Sequence, residues 1–156
     1  MLMLDELVVR KATANDKIVL LEFEQGVIST ERPFDPTLKP DPNHYYDLDN
    51  MILDPGIEVV VAEYNKEIIA SGYARIKVSK PYLQHTHHAY LGFMYVKPEY
   101  RGMGVNIKII EKLKEFAKSK GITEIQLDVY NENERAIGAY EKAGFKKHMI
   151  RMRMPV

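Results

Sequence analysis

Arg101, Gly102 and Gly104 lie between an apolar run and an amphipathic one, in Val96-Lys97-Pro98-Glu99-Tyr100-Arg101-Gly102-Met103-Gly104-Val105. Glycine lets backbone N–H groups approach an anion closely, since no Cβ intervenes. A helix opening at Val105 would add its unpaired N–H groups and roughly half a positive charge, and Arg101 a planar cation. That chemistry is phosphate binding, although a plain strand-to-helix turn uses the same residues. Further on, Asn133 precedes a helical stretch and Tyr140 lies two helical turns away, on roughly the same face. A phenol there is either a core aromatic or part of a face that looks into a cleft. The chain contains neither G-x-x-x-x-G-K-S/T nor G-x-G-x-x-G, which excludes P-loop and dinucleotide-binding chemistry.

These residues need elements to hold them. Leu7 to Ala12 reads as a short strand, and Asn15-Asp16 can cap a helix through Ile18, Leu20, Leu21 and Phe23. Pro33, Pro36, Pro40 and Pro42 then exclude regular structure from Thr30 to Asn43. A short helix over Tyr45 to Leu53 ends at Asp54-Pro55-Gly56. Ile57 to Tyr64 and Ile68 to Val78 form an antiparallel hairpin turned at Asn65-Lys66-Glu67. His88 to Val96 is nearly continuously apolar, as a strand buried on both faces would be. Ile109, Ile110, Leu113, Phe116 and Ala117 mark a helix from Val105 to Lys120, closed by Gly121. Glu124 to Tyr130 is a strand, parallel to the one before the helix by the crossover rule. Glu134 to Ala143 is a helix, and Phe145 to Met154 is expected as a last strand.

The 156 residues are expected to form a single domain, 1–156, with no linker of biased composition. Hydrophobic residues make up 46% and charged ones 28%, which argues against disorder. The absence of cysteine excludes disulfides, thiolate metal sites and a Cys nucleophile. Met1-Leu2-Met3-Leu4-Asp5-Glu6 has no basic start or long apolar segment, so a cytoplasmic setting is expected, without a membrane span. Net charge is zero, but residues 1–90 carry 9 Lys and Arg against 14 Asp and Glu, and residues 91–156 carry 13 against 8. A basic half suits an anionic ligand and an acidic half a cationic one. No basic-aromatic patch points to nucleic acid. His85, His87 and His88 have no carboxylate at ligand spacing, so no metal is expected. Tyr45, Tyr46, Tyr73 and Tyr82 read as dispersed packing residues, not as a substrate cage.

Together the two segments resemble the GCN5-related N-acetyltransferase (GNAT) family. Its members carry Arg or Gln, two residues, Gly, one residue, then Gly or Ala at a strand-to-helix junction. Arg101-Gly102-Met103-Gly104-Val105-Asn106 matches except at the end, where Asn106 replaces the small residue. Asn133-x-x-Ala136-x-x-x-Tyr140-x-x-x-Gly144-Phe145 matches the second motif. The resemblance implies an α/β (α+β) fold: a mixed central sheet of six to seven strands, antiparallel in its N-terminal part, a parallel pair at strands four and five, and about four helices. It also implies acetyl-CoA as cosubstrate and no metal. Arg101, Gly102, Met103, Gly104, Val105 and Asn106 would hold the pyrophosphate. Met94, Tyr95 and Val96 would pair through their backbone with the pantetheine, and Asn133 would be a further cofactor contact.

The reaction implied is direct attack of a primary amine on a thioester, without a covalent enzyme intermediate. An ammonium of pKa about 10 must lose its proton, and a thiolate of free pKa about 8.5 gains from a donor. By resemblance Tyr140 is the general acid and a backbone N–H of residues 94–96 the oxyanion donor. Two bases stay open. Asp128 corresponds to a glutamate of the ribosomal-protein N-terminal acetyltransferases, which this segment resembles; His88 has an ordinary pKa near neutrality. In the family the substrate side is built from the N-terminal helices and their loop, which here hold Glu31, Asp35, Asp41, Asp47 and Asp49. Such a rim suits an amine of small-molecule, peptide or protein type, with the loop from Thr30 to Asn43 as a candidate lid. Asn106 and the unsettled base leave a non-catalytic acyl-CoA binding or sensing module as the alternative. Family members are often dimers, and Lys146 to Met154 alternates basic and apolar residues.

Overall fold

The computed structural model describes residues 1–156. The β-branched run Ile57–Tyr64 (β2) turns through Asn65 and Lys66, both at positive φ, into Glu67–Val78 (β3), a tight hairpin turn matched to the right-handed twist of its strands. Val8–Lys11 (β1) pairs with the outer side of β2, and His87–Val96 (β4) with β3, all antiparallel. Ile125–Gln126 (β5) lies parallel to β4, with Ala89 opposite Ile125 and Tyr90 opposite Gln126. The sheet order is β1-β2-β3-β4-β5.

Four helices flank it. Lys17–Glu31 (α1) and Leu48–Leu53 (α2) cover one face, and Val105–Ser119 (α3) covers the other with Glu134–Lys142 (α4) beside it. Leu20, Phe23 and Val27 of α1 recur at helical spacing and pack on Val59, Val61 and Tyr73. Ile109, Leu113 and Phe116 of α3 pack on Val60, Ala62 and Leu91. Leu113 is fully buried, and its truncation to alanine would cost about 3 kcal/mol.

β4 holds a bulge that its composition does not announce. Tyr73 faces Gly92 but Ser71 faces Tyr95, so β4 carries one residue more than β3 across this stretch, with Phe93 at φ 55°. One inserted residue reverses the faces of all that follow. Leu91 therefore packs under α3, Phe93 under α1, and Met94 and Val96 on the α3 side again. That reversal, with both faces covered, is why the run is apolar without alternation.

The strand count is five, not six to seven. β5 pairs over two residues only, because the chain from Leu127 leaves β4. Phe145 to Met154, expected as a strand, is not one: residues 146–156 make no backbone hydrogen bond, and Met149, Ile150, Met152 and Met154 are exposed. Alternation gives a segment strand character only if an edge receives it, and past Gln126 no strand edge continues. No helix is long and apolar enough to cross a membrane.

Candidate active site

The residues from Pro98 to Val105 form a cradle at the end of β4. Gly102 and Gly104 adopt φ of 77° and 84°, the left-handed region open to glycine, and Gly104 caps α3. The backbone N–H groups from Gly102 to Ile107 have no backbone acceptor. A Cβ built on Gly102 would meet nothing within 4 Å. Val105 is buried under the sheet and fixes the helix start, whereas Met103 is exposed. Arg101 donates from Nε to the Val96 carbonyl oxygen at 2.8 Å, and its guanidinium lies 5.5 Å from the centre of the Tyr95 ring. Its terminal nitrogens have no partner in the chain. Asn106 stands in the first turn of α3, half-buried, its side chain without a hydrogen bond. Unpaired N–H groups, a helix N-terminus and an arginine in one place fit a diphosphate.

Where β5 leaves β4, the sheet opens into a cavity of about 440 Å³. Its floor is the bulge, Gly92 to Met94. Leu127, Asp128 and Tyr140 form one side, and Glu31, Tyr45 and Tyr46 the other, with Tyr73 and Tyr90 between them. The Tyr45 hydroxyl donates to Glu31 Oε2 at 2.9 Å, and the Tyr90 hydroxyl to Asp128 Oδ2 at 3.2 Å. Tyr46 stacks on Phe93 with centroids 4.4 Å apart and meets Tyr73 edge-on at 5.9 Å. Tyrosines that look dispersed along the chain, Tyr45, Tyr46 and Tyr73, thus share one wall with Tyr90, and only Tyr82 is a surface residue.

Burial raises the Glu31 carboxyl above its ordinary pKa; the Tyr45 hydrogen bond opposes this and Asp35 adds to it. Burial and then the charge of Asp128 raise the Tyr90 phenol. The Tyr140 phenol is pushed up to about 12, first by burial and then by the charge of Glu31. It makes no hydrogen bond within the chain and rests edge-on against Phe145, 5.9 Å between centroids. A phenol that stays protonated and unengaged beside a cavity is equipped to donate a proton.

The wall is held from behind by Glu24, which is fully buried. Its Oε2 accepts from the backbone N–H groups of Tyr45 at 2.9 Å and Tyr46 at 2.8 Å, and its Oε1 lies 2.8 Å from His44 Nδ1. The proline-rich segment is tied as well. Arg32 pairs with Asp41 at 2.7 Å, and Asp35 accepts from Thr37, Tyr130 and Arg153. Those three donors hold the Asp35 carboxyl well below its usual range, Thr37 contributing most.

Of the residues singled out by sequence, Met94, Asp128 and Tyr140 meet at the cavity, and Arg101 to Asn106 form the cradle beside the end of β4. Asn133 caps α4, its Oδ1 accepting from Ala136 N–H at 3.2 Å, and does not line the cavity. His88 lies apart from Tyr140, its Nδ1 2.9 Å from Ser79 Oγ, a hydroxyl it shares with His85. Burial, then His85 and Lys77, lower its pKa. Glu24, Tyr90 and the bulge were not expected as parts of the site. Tyr90 could have been found two residues beyond His88 on one face of β4; a buried carboxylate inside an amphipathic helix carries no signal of its own.

A glycine loop with unpaired N–H groups at the end of β4, a parallel pair that splays, and an unengaged phenol beside the resulting cavity are the features of this α/β fold that bear on its chemistry. Residues 25–145 match the model of the acetyltransferase (GNAT) family, and the chain belongs to that family. It is 47% identical to the thialysine N-epsilon-acetyltransferase of Bos taurus over 55 residues, 35% of this chain and 32% of the relative. The match thus spans about a third of that relative's length. Among solved structures, the tetramutant of the BH1408 protein from Bacillus halodurans superimposes with a TM-score of 0.84 at 21% identity, over 96% of this chain and 99% of that one. A predicted acetyltransferase from Clostridium acetobutylicum, crystallised with acetyl-CoA, gives a TM-score of 0.75 at 21% identity, over 96% of each chain. At that identity the likeness is one of fold.

Proposed function

We propose that this protein transfers the acetyl group of acetyl-CoA to a primary amine by direct attack. The carrying observation is that Tyr140, protonated and without a partner, faces the same cavity as the β4 bulge, whose strand runs on to the Arg101–Val105 cradle. Acetyl-CoA, when bound, supplies an activated acyl carbon and a thiol leaving group. Arg101, Gly102, Met103, Gly104, Val105 and Asn106 bind its diphosphate, and the backbone of Met94, Tyr95 and Val96 lines its arm. Asp128, on the opposite side of the splay, accepts the proton of the incoming ammonium, directly or through a water. A backbone N–H of residues 94–96 stabilises the oxyanion. Tyr140 donates its proton to the departing sulfur as the C–N bond forms and the C–S bond breaks. His88, off the cavity, remains a base only by way of a relay.

Release of free thiol from acetyl-CoA in the presence of alkyl amines, peptides and aminoglycosides tests this reading. The competing one, a non-catalytic acyl-CoA binding module, draws support from the unengaged Asn106 side chain in the cradle. Binding of CoA without turnover of any amine would favour it.

The partner we propose besides the amine is a second copy of this chain. Residues 146–156 make no backbone hydrogen bond, hydrogen-bond to the rest of the chain through Arg153 on Asp35 and Thr37, and expose Met149, Ile150, Met152 and Met154. α4 is amphipathic yet has no fully buried residue, and the two-residue β5 leaves the adjoining edge open. A strand from a twin chain suits all three features.

A further inference from the structure

We infer that the acceptor amine carries a second positive charge, and that Glu31 binds it while Asp128 faces the amine that reacts. The inference rests on the acetyltransferase reading above and deepens it to a substrate class: primary diamines and longer polyamines.

The cavity holds two carboxylates, Glu31 and Asp128, neither lysine nor arginine lines it, and its one basic lining residue, His44, is engaged by Glu24. They come from different elements, the last residue of α1 and the segment after β5. Each engages one oxygen with a tyrosine hydroxyl, Glu31 Oε2 with Tyr45 and Asp128 Oδ2 with Tyr90. Each has its second oxygen without a partner in the chain. Acetyl transfer to a monoamine gives work to one carboxylate only, so the other is unexplained by the reaction itself.

Glu31 is the one whose isolation is costly. It is half-buried among aromatic rings, where a carboxylate lacking a cation is disfavoured. The neighbouring acids do not share its position: Asp35 is satisfied by Thr37, Tyr130 and Arg153, and Glu24 by two backbone N–H groups and His44. A ligand ammonium would offset the burial of Glu31 and take its free oxygen. Tyr46, Tyr73 and Tyr90 line the space between the carboxylates with ring surface, which suits an alkyl chain and attracts cations.

The test compares 1,4-diaminobutane with 4-aminobutan-1-ol, which differ in the second charge and little in length, by thiol release with wild type, Glu31→Gln and Glu31→Asp. Wild type should use the diamine with a kcat/KM higher by on the order of tenfold to a hundredfold, chiefly through KM, as a charge-assisted hydrogen bond implies. Glu31→Gln should lower that preference at least tenfold, and Glu31→Asp should restore part of it. Retained stabilisation of each variant by CoA reports that it is folded. Equal use of the two amines by wild type would overturn the inference and leave acetyl transfer standing. Equal loss on both amines in Glu31→Gln would also overturn it, since Glu31 would then serve the reacting end. Turnover of no amine at all would overturn the transferase reading and this inference with it.

Discussion

The Nε of Arg101 donates to the carbonyl oxygen of Val96 at 2.8 Å, tying the cation of the cradle to the last residue of the strand that leads into it. The bond uses one edge of the guanidinium and leaves the terminal nitrogens for an anion. Replacing Arg101 with alanine should weaken CoA binding about tenfold or more, as loss of a charge-assisted contact does. Titration calorimetry with CoA checks it. Unchanged affinity would remove Arg101 from the diphosphate site.

Gly104 holds φ of 84° at the cap of α3, and a Cβ there would lie at an ordinary 3.4 Å from Leu4. The constraint is torsional, so Gly104→Ala should cost about 1 kcal/mol and lower Tm by a few degrees. CoA affinity should fall by more than the roughly fivefold that 1 kcal/mol represents if, as proposed, the shifted N–H groups bind the diphosphate.

Glu24 and the backbone of Tyr45 and Tyr46 offer a sharper comparison. Both N–H groups converge on Oε2, so a glutamine carbonyl can serve them while its amide NH₂ meets His44. Glu24→Ala leaves two donors unpaired and should destabilise by about 3 kcal/mol, whereas Glu24→Gln should lose less than half of that. Thermal denaturation of the two variants, with KM for the amine, reads this directly. Equal losses would mean that the charge matters and the clasp does not.

The Tyr140 phenol is pushed up to about 12 by burial and by Glu31. A raised phenol pKa keeps the proton in place as pH rises, so kcat should not fall between pH 8 and about 10 through loss of the acid. Over the same range kcat/KM should rise as the acceptor ammonium gives up its proton. A declining limb with an apparent pKa below 10 that disappears in Tyr140→Phe would contradict the raised value.

Much of this was readable from the residues. The glycine turn at Gly102 and Gly104 and the helix α3 followed from glycine placement and helical spacing, since both are local, whereas the ligand expected there came from the family resemblance. The spacing from Asn133 placed Tyr140 on a helix face, but only the family resemblance singled it out as an acid; the structure puts it on the cavity and makes Asn133 the cap of α4. The β4 bulge was hidden because a nearly continuous apolar run looks the same with or without an inserted residue. Tyr45, Tyr46, Tyr73 and Tyr90 could not be joined without the register of β3 against β4 and the Glu24 clasp, which are long-range facts. The last strand was overcounted for a related reason: alternation from Lys146 to Met154 specifies a strand but not its partner.

That unpartnered segment makes its own prediction. The full chain should elute as a dimer in size-exclusion chromatography with light scattering, and truncation after Phe145 should yield monomer with weakened stability. A monomeric full chain at concentrations of tens of micromolar would refute the role proposed for Met149, Ile150, Met152 and Met154.

The most direct test of acetyl transfer is thiol release from acetyl-CoA with a competent amine, measured for wild type and Tyr140→Phe alongside CoA affinity. General acid assistance predicts a kcat about 10²-fold lower in the variant, with the CoA dissociation constant unchanged within about twofold. Wild-type turnover equalled by Tyr140→Phe, with CoA still bound, would contradict the role given to Tyr140; CoA binding with no turnover by wild type would contradict acetyl transfer itself.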